Sequence, residues 1–255
     1  MDLKIALLAP FALLVAGCVV SERDEDFPLN GKELTISAIC ADNSTTKTIR
    51  DEADGSVLWM PGDAISLFYG SGSQGGSRFV ANSQEPTKVA KFTGTINAIT
   101  GGVEGTVDES YFWGLYPYSE ESECDGSSVA ITLPSDQIAV AGSFANNLFP
   151  SIGQSKGLSM GFYNVCGGVR FSVTREGINK VTLRALGGEK LAGKAKVGFD
   201  GNVPTVLEIS EGSDEITLSA PDGECFEVGA FYYFVACIDH VPFHFGHRVC
   251  RRVHP

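Results

Sequence analysis

Histidine does not occur before position 240, and basic residues are few throughout the chain. The first absence removes an ordinary Ser-His-Asp triad, or a Cys-His nucleophile pair, from everything upstream of His240. The second leaves 19 Lys and Arg against 31 Asp and Glu, a net charge of −12 that repels phosphate backbones. Nucleic acid is therefore excluded as a partner. Long periodic runs of Leu, Ala and Glu are missing, and there are only 3 Met, which excludes a helical bundle. Only Met1 to Val20 is apolar enough for a bilayer, and it is too short to span with room to spare. What the 255 residues do contain is 30 Gly, 11 Pro and many Val, Thr and Ser, with 43% hydrophobic residues. That is too apolar for a disordered chain, and it suits a loop-rich β protein of one large or two modest domains.

The N-terminus carries the most specific signal. Lys4 precedes the apolar run IALLAPFALLVAG, which ends in Ala16 and Gly17 directly before Cys18. A charged start, a short apolar stretch and small residues before a cleavage point make a secretory signal. With a cysteine at that point, preceded by Leu14 and Val15, the segment resembles a bacterial lipobox. On that resemblance residues 1–17 are a lipoprotein signal peptide, and Cys18 takes lipid as the first residue of the mature chain. Such an anchor holds a protein on a membrane without crossing it. Residues 18–29 follow as an acidic tether, with Glu22, Asp24, Glu25 and Asp26 close together. They read either as a solvated linker or, by resemblance, as the tag that sends some lipoproteins to the outer face of the outer membrane.

From residue 30 the chain reads as short strands separated by turns. ELTISAIC (33–40) alternates apolar and polar positions, AISLFY (64–69) follows the Pro61-Gly62-Asp63 corner, and RFVAN, KVAKFTGTI, YFWGLYPY and VAITL continue the series. NVCGGVRFSV, KVTLRAL, KAKVGF, TVLEIS, EITLSA and FYYFVA repeat the pattern in the second half. This predicts an all-β fold of sandwich type. VLWM (57–60) also reads as a strand, whereas 143–157 lacks strand character and is expected to connect two halves. The step Cys166-Gly167-Gly168 suggests a bulge or a close backbone approach. Gly70, Gly72 and Gly75 match a dinucleotide-binding fingerprint, but no helical stripe follows, so no cofactor is assigned.

Cysteine usage is irregular. Removing Cys18 leaves Cys40, Cys124, Cys166, Cys225, Cys237 and Cys250, an even number without any CxxC. Cys40 and Cys166 sit inside strand-like runs and read as small buried hydrophobes, so no essential disulfide is expected. The acidic residues stand in no paired motif, and the expectation is a protein without catalytic activity.

The segments VLWMPGDAISLFY, GLYPYSEES, ITLPSDQIAVAGSF, NLFPSIG, NVCGGVRFSVTREGI and ITLSAPDGECFEVGAFYYFV, in this order, resemble fimbrillins. These are lipoprotein pilus and adhesin-stalk subunits of Gram-negative anaerobes, and the resemblance covers roughly residues 28–236. It implies two tandem transthyretin-like (Greek-key) β-sandwich domains, 30–157 and 158–255. It also implies outer-membrane localisation at the cell surface, other fimbrial subunits as partners, and a host or bacterial surface ligand. Assembly in the family begins when an Arg-specific protease frees the first strand and a partner strand fills the groove. Arg50, just after the strand 33–40, stands at the corresponding place, with Arg23 as the weaker candidate. An alternative function is a glycan-binding or adhesive lipoprotein using the aromatic run Tyr111, Phe112, Trp113, Tyr116 and Tyr118. Its candidate ligand residues are Trp113, Tyr116 and Tyr118, which equally read as sheet packing.

Residues 237–255 depart from the family pattern. Cys237, His240, His244, His247 and Cys250 offer zinc-ligand residue types, but without the defined hairpins such sites use, and no metal is assigned. The segment reads either as a frame change or truncation after Ala236, in which case the second domain is expected to be short of strands with an open edge, or as a genuine divergent tail.

Overall fold

The computed structural model describes residues 31–40, 58–69, 76–96, 112–144, 148–201, 203–237 and the backbone of 243–249. The described residues are all-β, with no helix. Seven strands close into a barrel in the order β1-β4-β3-β2-β5-β8-β9. They are β1 (Glu33–Cys40), β2 (Ala64–Tyr69), β3 (Ser77–Ala81), β4 (Val89–Thr95), β5 (Phe112–Tyr116), β8 (Ser151–Ser155) and β9 (Ser159–Asn164). Closure removes the free edges an open sheet would expose. The barrel interior is filled by Ile36, Trp59, Ile65, Leu67, Phe79, Phe92, Met160 and Phe162, among others.

The remaining strands form three smaller sheets. β6 (Val129–Leu133) pairs with β12 (Ala192–Asp200), which pairs with β13 (Val203–Ser213). β7 (Asp136–Ile138), β14 (Glu215–Ser219), β11 (Ile178–Ala185) and β16 (Phe243–Val249) make a four-stranded sheet, and β10 (Gly167–Ser172) pairs with β15 (Phe231–Ala236). Pairing crosses residue 157 in both directions: β9 completes the barrel, whereas β6 and β7 join strands from the second half.

Alternation explains how the barrel and the β6-β12-β13 sheet share one wall. In β5, Phe112 and Tyr116 point into the barrel, while Trp113 and Leu115 point outward with Phe68 and Ile152. That outer layer is covered by Val129, Ile131, Ala195 and Val197. β5 is thus buried on both faces, and every one of its residues is buried. Period-two geometry gives a strand two faces, and here both meet protein. A third core, around Leu183, Ile216, Leu218, Phe234 and Val235, lies between the sheets of the second half.

Three expectations are corrected. Residues 143–157 are not merely a connection, because β8 lies within them and pairs with both β5 and β9. SIGQS has little apolar pattern because Gly153 must be small. A Cβ there would meet the Gly161 carbonyl oxygen at 2.6 Å and Met160 at 2.6 Å. Of VLWM, the described residues 58–60 form no strand; Trp59 makes only an isolated bridge to Thr87 before the chain turns at Pro61-Gly62. The two glycines after Cys166 form no bulge, since Gly167 pairs with Ala236 and Gly168 with Val235 in unbroken register. Residues 243–249 of the divergent tail form an edge strand, as β16 pairs antiparallel with β11 from Ile178↔Val249 to Ala185↔Phe243.

Candidate functional site

The strand that closes the barrel is β1, the first of the described strands. β1 runs antiparallel to β4, from Glu33↔Thr95 to Ile39↔Val89, and parallel to β9, from Ser37↔Ser159 to Cys40↔Phe162. Ile36 and Ala38 are fully buried in the barrel, with Leu34 and Cys40 packed against the same core. β1 therefore lies in a slot whose walls are β4 and β9 and whose floor includes Phe92, Met160 and Phe162.

Trp59 ties this slot to the body of the barrel. Its indole Nε1–H donates to the Ala38 carbonyl of β1 at 3.1 Å, and its ring meets Phe92, Tyr116 and Phe162 edge-on at 4.9, 5.3 and 5.3 Å. Such edge-to-face pairs suit the ring quadrupole and add to the burial of a large side chain. The backbone of Trp59 exchanges both hydrogen bonds with Thr87, at 2.8 and 3.0 Å.

The corner after Trp59 explains its placement. Pro61 sets φ for the second residue of a turn, and Gly62 takes φ +82°, which a side chain would resist. The Asp63 amide closes the turn onto the Met60 carbonyl at 3.1 Å. The Asp63 carboxylate accepts from the Met60 amide at 2.8 Å and from the Tyr116 hydroxyl at 3.3 Å. Burial pushes the Asp63 carboxyl above its ordinary value, and these two hydrogen bonds only partly offset that. The line Asp63–Tyr116–Trp59–Ala38 thus connects the corner and β5 to the first strand.

The aromatic candidates fall in different places. Trp113 is 3% exposed and packs on Phe199 at 5.9 Å, between the barrel and the β6-β12-β13 sheet. Tyr116 is 1% exposed inside the barrel. Tyr118 is half-buried, with the Arg78 guanidinium 5.5 Å above its ring. Alternation sends Trp113 and Tyr116 to opposite, covered faces of β5, and Tyr118 lies beyond the strand, so the three rings do not form one exposed stacking platform. Cys18, Arg23, Arg50 and Tyr111 lie outside the described residues, as do the glycines of the 70–75 fingerprint, His240, Cys250 and His254.

One other polar cluster is structural in its contacts. The Ser66 hydroxyl accepts from the Ser119 amide at 3.1 Å and from the Ser122 hydroxyl at 3.0 Å, binding β2 to the segment after β5. No histidine side chain is among the described residues that could activate these hydroxyls. Among the described residues no group of three His, Cys, Asp or Glu is placed to hold a metal. Cys237 is instead buried with its sulfur 3.6 Å from that of Cys166. Sequence reasoning missed this pair, and also Gln137, which is 2% exposed within the short strand DQI. Its neighbours Asp136 and Ile138 are both exposed, and no local pattern marks the glutamine between them as buried.

Comparison of the chain with protein-family models, with curated proteins and with solved structures finds no match.

Proposed function

We propose that this chain is a structural subunit of cell-surface fimbriae, held at the outer membrane by lipid on Cys18 and assembled by strand addition after proteolysis. In this reading its two halves are transthyretin-like domains, its partners are other fimbrial subunits, and it has no catalytic role. The observation that carries the reading is the seat of β1. It is the first described strand, it is flanked by β4 on one side and β9 on the other, and its apolar residues fill the barrel. Its departure would leave two unpaired edges and an apolar slot, which is what an incoming strand with alternating side chains needs.

Arg50 lies ten positions after Cys40, so a cut there separates β1 from the rest of the barrel without cutting a described strand. An Arg-specific protease acting on the folded protein should give Asp51 as a new N-terminus by Edman sequencing. An uncut chain, or a cut only at Arg23, contradicts the assignment.

A further inference from the structure

We propose that Cys166 and Cys237 are a disulfide-forming pair that links the start of β10 to the end of β15. The β10–β15 register ends at Gly167↔Ala236, and one further step along this antiparallel ladder sets Cys166 opposite Cys237. Directly opposed residues on antiparallel strands fall within the Cα separation a disulfide requires. The sulfurs already touch, at 3.6 Å, and both residues are buried. Small rotations about the Cα–Cβ bonds bring them to the bonded distance of about 2.05 Å. The Cys237 amide is not spent on this rung, since it donates to the Leu191 carbonyl at 2.8 Å. The link would therefore fasten β10 to β15 where Leu191 also meets them.

The two thiols share one hydrogen bond. Hydrogen bonding from Cys166 lowers the Cys237 thiol, while the same contact together with burial raises Cys166. Either thiol can attack first. With Cys237 leading, its thiolate attacks one sulfur of a disulfide oxidant such as oxidised glutathione, forming a mixed disulfide and releasing one glutathione thiolate. Cys166, losing its proton, then attacks the Cys237 sulfur and releases the second. One S–S bond forms in the protein and one breaks in the oxidant. Two electrons pass from the protein sulfurs to the two glutathiones, which also take up the two protons. Cys124 is the internal contrast: burial pushes its thiol up to about 11, and its sulfur accepts from the Gly126 amide at 3.4 Å. The pair stands on contacts of the second half, and the proposal is independent of any strand exchange at β1.

The test starts from the full chain, reduced and then returned to native buffer, with folding checked by circular dichroism. It is incubated with oxidised glutathione, quenched in acid, alkylated under denaturing conditions and mapped by tandem mass spectrometry after trypsin and chymotrypsin, the latter cutting between Cys225 and Cys237. The expected result is one cross-linked peptide pair joining Cys166 to Cys237, about 2 Da below the sum of the reduced peptides, with Cys124 alkylated. The oxidised protein should also melt higher than the reduced one by about 5 °C or more, since the link closes a long loop. That difference should vanish in Cys237→Ser and persist in Cys124→Ser. Alkylation of both Cys166 and Cys237 after oxidation overturns the proposal. So does separate glutathionylation of each, or pairing of either with Cys225.

Discussion

The side-chain amide of Gln137 bonds both backbone groups of Val235. Its Nε2 donates to the Val235 carbonyl at 2.7 Å and its Oε1 accepts from the Val235 amide at 3.1 Å, with a second Nε2 bond to the Pro134 carbonyl at 3.2 Å. Val235 meets β10 through Gly168 on one side, and on the other side Gln137 stands in for a neighbouring strand. One glutamine thus joins the two-stranded sheet to the sheet of β7, β14, β11 and β16.

Because this exchange is buried, Gln137→Ala should cost about 2–4 kcal/mol, read as a lower urea midpoint with an unchanged slope. Gln137→Met should cost nearly as much although it refills the volume, because the Val235 amide and carbonyl stay unpaired. A cost within 0.5 kcal/mol of zero for both variants would show that water replaces the amide, an outcome at odds with the burial described here.

Trp59→Ala should destabilise by about 3–5 kcal/mol, and Trp59→Phe by about 1–2 kcal/mol through loss of the Ala38 bond and some ring contact. Hydrogen exchange separates the two roles. In Trp59→Phe the amides of residues 34–39 should lose protection more than those of β2 and β5, because the lost bond ends on β1. Uniform loss across the barrel would mean that Trp59 is only a core filler.

Trp113→Ala should likewise cost about 3–5 kcal/mol, since its ring fills the layer between the barrel and the β6-β12-β13 sheet. Intact protein should pass through a polysaccharide affinity column without retention by this ring. Retention that is lost in a fully folded Trp113→Ala variant would restore the glycan-binding alternative.

The acid limb of stability has a named contributor. Burial pushes Asp125 up, but hydrogen bonds from the Ser127 amide and hydroxyl and the Ser128 amide and hydroxyl outweigh it and hold the carboxyl at about 2. A folded value below the ordinary one contributes stability that is complete above about pH 4 and lost as pH falls toward 2. Asp125 is exposed, so the contribution is about 1 kcal/mol or less. Urea midpoints between pH 2 and pH 6 should fall less steeply with acid in Asp125→Ala than in the parent. Asp63 acts in the opposite sense: its raised value favours folding on the acid side and its contribution declines as pH rises through it.

Strand alternation made much of the fold legible. The runs 33–40, 64–69, 129–133 and 231–236 coincide with β1, β2, β6 and β15, because each alternates or is continuously apolar between turn residues. The β8 strand was hidden, since Gly153 and its polar neighbours give no pattern until Met160 and the Gly161 carbonyl claim the space. The corner at Pro61-Gly62-Asp63 was readable from residue types alone, and Asp63 bonds the nearby Met60 amide as such a corner invites. What Trp59, Gln137 and Cys166 touch was not readable. Their partners Ala38, Val235 and Cys237 lie 21, 98 and 71 positions away, set by sheet order and not by local pattern.

Gly153→Ala should cost about 1–3 kcal/mol, because the added methyl meets backbone and cannot be relieved by a side-chain rotation alone. Thermal unfolding is sufficient to measure it, and a neutral result would mean that β8 shifts away from β9 at little cost.

The central claim is that β1 is the exchangeable strand of the barrel. It is tested most directly by cleaving the folded protein with an Arg-specific protease in the presence of excess fluorescent peptide spanning residues 31–50. The products are then run on an unheated SDS gel beside intact protein treated the same way. The account predicts label migrating with the cleaved protein and none with the intact chain, because the slot between β4 and β9 opens only when β1 is severed. Failure of the cleaved protein to take up label, or equal labelling of both, would contradict it.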